Sequence, residues 1–237
     1  MSRLIAIEGI DGSGKGTQAQ RLVERYRQAG ISAELMSFPR YDATLFGRAI
    51  GEYLNGEYGS LDDVHPFLVS LLFAGDRLES REPLAQALAE HEVVVLDRYV
   101  PSNVAHQAAK RDGAQRAELA RRILRIEFEI FQLPRPDLVL LLDLPVATAQ
   151  ELIARKGARN YTQRVADLQE ADAPYLQRVR EVYLDLARGD ADWRLISCVT
   201  AQGLRSIDEI GEELWTMATS NLSAGQSCAR APRFEPE

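Results

Sequence analysis

The chain has 237 residues, 46% of them hydrophobic and 27% charged, with a formal net charge of −7. That length suits one large α/β domain with a well-buried core, and the acidic balance argues against a protein that lays a broad basic face on duplex nucleic acid. No apolar run approaches the roughly 18 residues of a membrane span, the apolar stretch beginning at Leu4 leaves no room for a signal peptide, and the widely separated Cys198 and Cys228 read as reduced thiols of a cytosolic protein rather than metal ligands.

In chain order, residues 4–8 read as a buried strand and 13–29 as a helix, with Ala19, Leu22, Val23 and Tyr26 at helical spacing and Gly30 as the stop. A second strand over 33–38 ends at Pro39, and a short helix over 44–54 follows. Leu61-Asp62-Asp63 reads as the start of a helix, with Pro66 in its first turn, running to 81; Pro83 opens another, to 90. Residues 93–97 are four apolar residues running into an acid, a third strand. A helix over 114–131, a strand over 138–143, a helix over 146–154 and a polar loop over 155–164 come next. A helix to 187, a strand over 193–198 and a helix over 204–218 complete the pattern, and no internal repeat is present. Apolar strands alternating with amphipathic helices imply a five-stranded parallel sheet flanked by helices, an α/β fold. Residues 1–220 read as a single domain; 221–237 turn polar and aperiodic and read as a disordered tail.

Between the first strand and the first helix stands Glu8-Gly9-Ile10-Asp11-Gly12-Ser13-Gly14-Lys15-Gly16-Thr17, in which Gly9, Gly14 and Lys15 fit G-x-x-x-x-G-K. Glycines permit backbone angles that aim successive N–H groups at one anion; the lysine adds mobile positive charge and the next helix its positive dipole end. With a strand before it and a helix after it, this loop is expected to bind a nucleoside triphosphate. The position after Lys15 ordinarily carries a Ser or Thr whose hydroxyl helps to hold magnesium; here it is Gly16, with Thr17 one place later. A metal at this loop then falls to carboxylates, water and the phosphates.

Further segments carry chemistry: Phe38-Pro39-Arg40-Tyr41, Leu72-Phe73-Ala74-Gly75-Asp76-Arg77, Asp97-Arg98-Tyr99 followed by Pro101-Ser102-Asn103, and Leu133-Pro134-Arg135-Pro136-Asp137. Phe73 and Arg77 are four apart on a helix and share a face; alone, they read equally as a core Phe and a solvated Arg. Asn103 offers a donor and an acceptor side by side, yet in isolation reads as a helix cap. Tyr41 by itself is a surface tyrosine. Asp97 ends a buried strand, where phosphate-loop enzymes keep an acid that holds metal through water; the alternative is a turn cap. Arg155, Lys156, Arg159 and Arg164 alone would be a solvated charged loop.

In this order and spacing the chain resembles the thymidylate kinase family, ATP-dependent kinases of deoxythymidine monophosphate, from Ser2 to the last helix. Gly12, where some members carry an arginine, and a basic lid at 155–166 resemble the bacterial type. The resemblance implies a phosphate-loop fold of the nucleoside monophosphate kinase type, ATP as donor, magnesium as cofactor, a homodimer in the cytoplasm, and no nucleic-acid or membrane partner. It implies that residues 9–17 hold ATP and that Lys15 steadies its phosphates. Phe38, Tyr41 and Phe73 would flank dTMP, Arg77 and Asn103 would read thymine, and Arg98 would clamp the acceptor phosphate. Asp11 would touch the acceptor and the metal side of the reaction centre, where positioning and charge neutralisation carry catalysis. Arg155 and Arg159 would close over the transferring phosphoryl group. Asp167 and Gln169 would approach the nucleotide, with Glu170 in the metal shell beside Asp11 and, through water, Asp97. Gln169 and His106 depart from the family pattern. Relatives often carry tyrosine at position 106, close to the sugar, and the smaller imidazole makes deoxyribose selection less secure.

Two rivals stay open. One is a kinase of another pyrimidine monophosphate, such as dUMP, or of a free deoxynucleoside; Arg98 beside Asp11 favours a monophosphate. The other is a catalytically silent nucleotide-binding relative, kept open by Gly16 and His106 and opposed by Lys15, Asp11, Arg98 and the basic lid.

Overall fold

The computed structural model describes residues 2–60, 63–155 and 172–220. Strands β1 (Arg3–Glu8), β2 (Ala33–Ser37), β3 (Val93–Asp97), β4 (Leu138–Asp143) and β5 (Trp193–Ser197) form a sheet in the order β2-β3-β1-β4-β5. Every neighbouring pair is parallel, so the five-stranded parallel sheet expected from the sequence is present. The inner strands β1, β3 and β4 are apolar runs because helices cover both faces, whereas the edge strands β2 and β5 carry partly exposed polar residues. Leu4 and Ala6 of β1 point to one core cluster, while Ile5 and Ile7 point to the other.

Among the described residues the helices are α1 (Lys15–Gln28), α2 (Leu45–Asn55), α3 (Pro66–Glu79), α4 (Arg81–Glu90), α5 (Val100–Ala108), α6 (Gly113–Leu124), α7 (Val146–Arg155), α8 (Ala173–Gly189) and α9 (Ile207–Thr219). Ala19, Leu22, Val23 and Tyr26 of α1 are buried on one face, with Ile210 and Leu214 of α9 and Val179 and Tyr183 of α8 in the same cluster. On the opposite face Leu84 and Ala87 of α4 pack with Leu119 and Ile123 of α6. A smaller cluster, Ile50, Tyr53 and Leu54 of α2 with Val69 of α3, carries Tyr41 and Phe73 at its edge. None of the helices among the described residues is long and apolar enough to cross a membrane.

The sequence pattern misses α5. All nine of its residues are buried, so it lacks the polar face that produces helical periodicity. Asn103 stands in its interior, which removes the helix-cap reading. The expected start at 61–63 is later in the structure: α3 opens at Pro66, with the His65 ring Nδ1 accepting from Phe67 N at 3.2 Å. The helix expected over 114–131 divides, its last turn (Arg125–Ile130) having π geometry. A two-residue hairpin, β6 (Val199–Thr200) and β7 (Gly203–Leu204), precedes α9 where the sequence pattern gives helix from 204. The expected lid from Lys156 onward, the segment to residue 171 and the tail 221–237 with Cys228 lie outside the described residues.

Candidate active site

Adjacent strands leading to opposite sides of β1 open a crevice at the carboxyl edge of a parallel sheet, which is where such sheets bind ligands. The register sets Ile7 of β1 beside Asp97 of β3 and Leu140 of β4, so the loop after β1 and the residues after β3 emerge together. Residues 9–14 form the turn into α1. Gly12 has φ +83°, and a Cβ there would lie 2.6 Å from the carbonyl oxygen of Ala149. The loop is thus packed on α7, the helix that leads to the expected lid, and an arginine at position 12 has no space. This gives a physical reason for the glycine.

Lys15 is buried and curls back over the loop, its Nζ donating to the Ile10 carbonyl at 2.7 Å and to Ser13 Oγ at 3.5 Å. Burial, and then the nearby Arg98 charge, push the Lys15 ammonium pKa down to about 8. A polyphosphate entering the loop would reverse that electrostatic balance. Gly16 has a consequence of its own: a Cβ there would sit 2.9 Å from Asp97 Oδ2. The carboxylate lies where a side chain at position 16 would crowd it, so a hard oxygen donor stands beside the loop. No group of three or more His, Cys, Asp or Glu residues that could hold a metal occurs among the described residues. A cation here would need oxygens from its nucleotide in addition to the carboxylates of Asp97 and Asp11. Thr17 is exposed on the first turn.

Arg98 adopts φ 68°, a left-handed conformation that is costly for a residue with a Cβ. It is held there by Arg98 N donating to the Ile7 carbonyl at 3.1 Å and Tyr99 N donating to Glu8 Oε1 at 2.8 Å. The unusual backbone turns the guanidinium back toward the loop, where Nη2 donates to Asp11 Oδ1 at 2.5 Å. Nη1 donates to Ser102 Oγ at 3.0 Å and lies 3.4 Å from His106 Nε2. Tyr175 OH spends its one hydrogen on the His106 carbonyl, so its oxygen accepts from His106 Nδ1 at 3.0 Å. That leaves Nε2 as an acceptor facing Arg98. Burial and the Arg98 charge push the imidazole pKa down to about 3, so His106 is a neutral support for Arg98.

A cavity of about 310 Å³ adjoins this group, within the usual size range for small-ligand sites. Its lining unites Asp11, Phe38, Tyr41, Phe73, Arg77, Asp97, Arg98, Asn103 and His106, all of which the sequence pattern singles out. Phe73 and Arg77 do share one face of α3, although Arg77 is buried rather than solvated. The Arg155 side chain, Arg159, Asp167, Gln169 and Glu170 fall outside the described residues.

Three residues of this region escape the sequence reading. Glu8 is fully buried and its carboxyl pKa is raised by burial. Its Oε2 accepts from Ser102 Oγ at 2.7 Å and Tyr183 OH at 2.9 Å, so it braces both the backbone and the side chain of Arg98. Glu127 is fully buried against Arg77; the signal was an acid in helical phase with Leu119 and Ile123. Gln107 lines the cavity with neither carboxamide atom partnered among the described residues.

Comparison with known proteins adds an independent line. The thymidylate kinase family model matches residues 7–209. Thymidylate kinase of Mycobacterium tuberculosis is 38% identical over 184 residues, 78% of this chain and 85% of that protein. A probable thymidylate kinase of Thermococcus gammatolerans is 32% identical over 95% of this chain and 100% of that protein. Among solved structures, thymidylate kinase of Candida albicans superposes with a TM-score of 0.70 at 27% identity, covering 93% of this chain and 92% of that one.

Proposed function

The chain belongs to the thymidylate kinase family, and from that premise we propose how its residues divide the work. The protein transfers the γ-phosphoryl group of ATP to dTMP, giving ADP and dTDP. The observation that carries the division of roles is the continuity of the cavity with the phosphate loop through the Arg98–Asp11 pair. In this reading the loop amides and Lys15 hold the donor phosphates and Arg98 grips the acceptor phosphate, since a planar guanidinium binds phosphate bidentately. Phe38, Tyr41 and Phe73 sandwich the pyrimidine, with Arg77 and Asn103 at its edge. Asp11 gives up part of its hold on Arg98 as the acceptor arrives and steadies the attacking oxygen. The acceptor phosphate is already ionised near neutral pH, so the enzyme's task is alignment and neutralisation of charge rather than deprotonation. Lid residues Arg155 and Arg159 complete that neutralisation, and Asp167 and Gln169 close on the nucleotide.

Magnesium bound with ATP would supply charge neutralisation at the phosphates. Asp97, Asp11 and Glu170 are the carboxylates that would hold it, Asp97 through water. The working unit is one domain over 1–220 with a lid at 155–166 and a tail beyond 220, acting as a cytoplasmic homodimer. Leu68 on α3, 55% exposed, and Ile130, 64% exposed, support a buried face between two copies. Sedimentation velocity measures that association directly. For the reaction itself, ADP formation is followed with ATP and magnesium across dTMP, dUMP, ribo-TMP, dCMP and thymidine. Preference for dTMP supports these assignments. Better use of thymidine, or ATP binding without turnover on any acceptor, sinks them.

A further inference from the structure

Glu127 lies in the π turn that ends α6, a geometry frequent at functional sites. Ion-paired with Arg77, it presents two oxygens as acceptors. Oε2 accepts from Arg77 Nε, and Oε1 accepts from Arg77 Nη2 at 2.8 Å and from Asn103 Nδ2, also at 2.8 Å. Asn103 Nδ2 donates as well to the Ser70 carbonyl at 2.9 Å. Both neighbours on that side of the Asn103 carboxamide are acceptors, so only its NH2 can face them. The Asn103 carbonyl oxygen is what remains, buried and without a partner among the described residues. On Arg77, Glu127 engages Nε and Nη2 and leaves Nη1, and both side chains line the cavity.

We propose that Glu127 sets the base selectivity of this enzyme as a positioning residue. It holds the Asn103 nitrogen and two N–H groups of Arg77 away from the substrate, so the cavity offers one acceptor, Asn103 Oδ1, beside the Arg77 donors. That order complements a pyrimidine edge with a ring N3–H donor and a 4-oxo acceptor, as in thymine and uracil. Cytosine reverses both, setting its unprotonated N3 against the Asn103 oxygen and its 4-amino group against Arg77. A buried polar group with no partner is costly, so such a mismatch discriminates strongly. Without Glu127 only the Ser70 carbonyl would still hold the Asn103 nitrogen, a single bond against which the carboxamide could rotate and offer either pattern. This inference rests on the reading that the cavity holds the acceptor base.

The test is Glu127→Gln, which keeps the volume and turns one of the two acceptors into a donor. The readouts are the ratios of kcat/KM for dTMP over dCMP and for dTMP over dUMP. The first ratio is expected to fall at least tenfold. The second, and the KM for ATP, hold, because thymine and uracil share the recognised edge. Equal losses on dTMP and dCMP, with the first ratio unmoved, would overturn the proposal and leave Glu127 a structural residue. Removing one partner of a buried ion pair can cost the fold, so Asn103→Ala is measured in parallel. Loss of the acceptor itself must also lower the dTMP-to-dCMP ratio, and an unchanged ratio there refutes the proposal on its own. Failure of the underlying site reading looks different: neither Asn103→Ala nor Phe73→Ala then changes the KM for dTMP.

Discussion

Lys15 gives the sharpest electrostatic prediction. Its pKa in the free protein is pushed down to about 8 because burial strips water from the ammonium and Arg98 adds like charge; Asp11, Asp97 and Glu8 only partly compensate. Titration at that midpoint leaves Lys15 about nine-tenths charged at pH 7 and about one-tenth charged at pH 9. A phosphate-cradling lysine works only when charged, so ATP affinity must fall as pH rises through about 8, approaching tenfold per pH unit beyond it. Bound polyphosphate favours the ammonium, so kcat at saturating ATP stays much flatter than kcat/KM for ATP over the same range. The assay is the affinity of a fluorescent ATP analogue between pH 6.5 and 9.5, alongside kcat/KM for ATP at saturating dTMP. In Arg98→Ala the repulsion is gone and the guanidinium no longer offsets the Asp11 charge, both of which favour charged Lys15, so the binding midpoint moves up. Affinity that is flat to pH 9.5 in the wild type, or a midpoint that moves down in Arg98→Ala, would refute this reasoning.

Other consequences follow from burial and close approach. Gly12→Ala forces a Cβ to within 2.6 Å of the Ala149 carbonyl at φ +83°. It should cost about 1–3 kcal/mol, lower the melting temperature by roughly 2–4 °C for each kcal/mol, and raise the KM for ATP; an unchanged melting curve contradicts the packing of α7 on the loop. His106, with a pKa pushed down to about 3, stays neutral throughout the working range. Its ring signals in NMR should not titrate between pH 5 and 8, whereas a midpoint near 6.5 would mean that the ring is solvated and does not support Arg98. Burial, followed by the Asp143 charge, pushes the Cys198 thiol up to about 12. In a Cys228→Ser background native protein should resist a thiol reagent at pH 8 and react once unfolded; rapid native labelling would contradict the burial.

The sheet was legible because its inner strands β1, β3 and β4 are buried on both faces and read as apolar runs, with β3 and β4 matching residue for residue, while the edge strands β2 and β5 are partly exposed. Amphipathic α1 was legible for the complementary reason, having one wet face. Helix α5 was hidden because it has none, and the π turn at Arg125–Ile130 because a widened turn has no periodic signature. In the cavity, residues in recognisable local strings, such as Phe73 with Arg77 or Asp97 with Arg98, could be singled out. Their supports come from distant positions: Glu127 is 50 residues from Arg77 and Tyr183 is 175 from Glu8. A lone acid inside an apolar helix face, Glu127 after Leu119 and Ile123, was the one trace of that second layer in the sequence. In the sequence Gly12 is only a position without an arginine; the close approach of the α7 backbone that excludes a side chain there is supplied by the fold.

Arg98 gripping the acceptor's phosphate from within this cavity is the central claim. Calorimetric titration of dTMP and of thymidine into the wild type and Arg98→Ala tests that directly, because the two ligands differ only in the phosphate. The wild type should bind dTMP at least a hundredfold more tightly than thymidine. Arg98→Ala should erase at least tenfold of that advantage, leaving thymidine binding and ATP binding at pH 7 nearly unchanged. If the dTMP advantage survives intact in Arg98→Ala, the acceptor phosphate lies elsewhere and the proposed orientation of the substrate in the cavity is wrong.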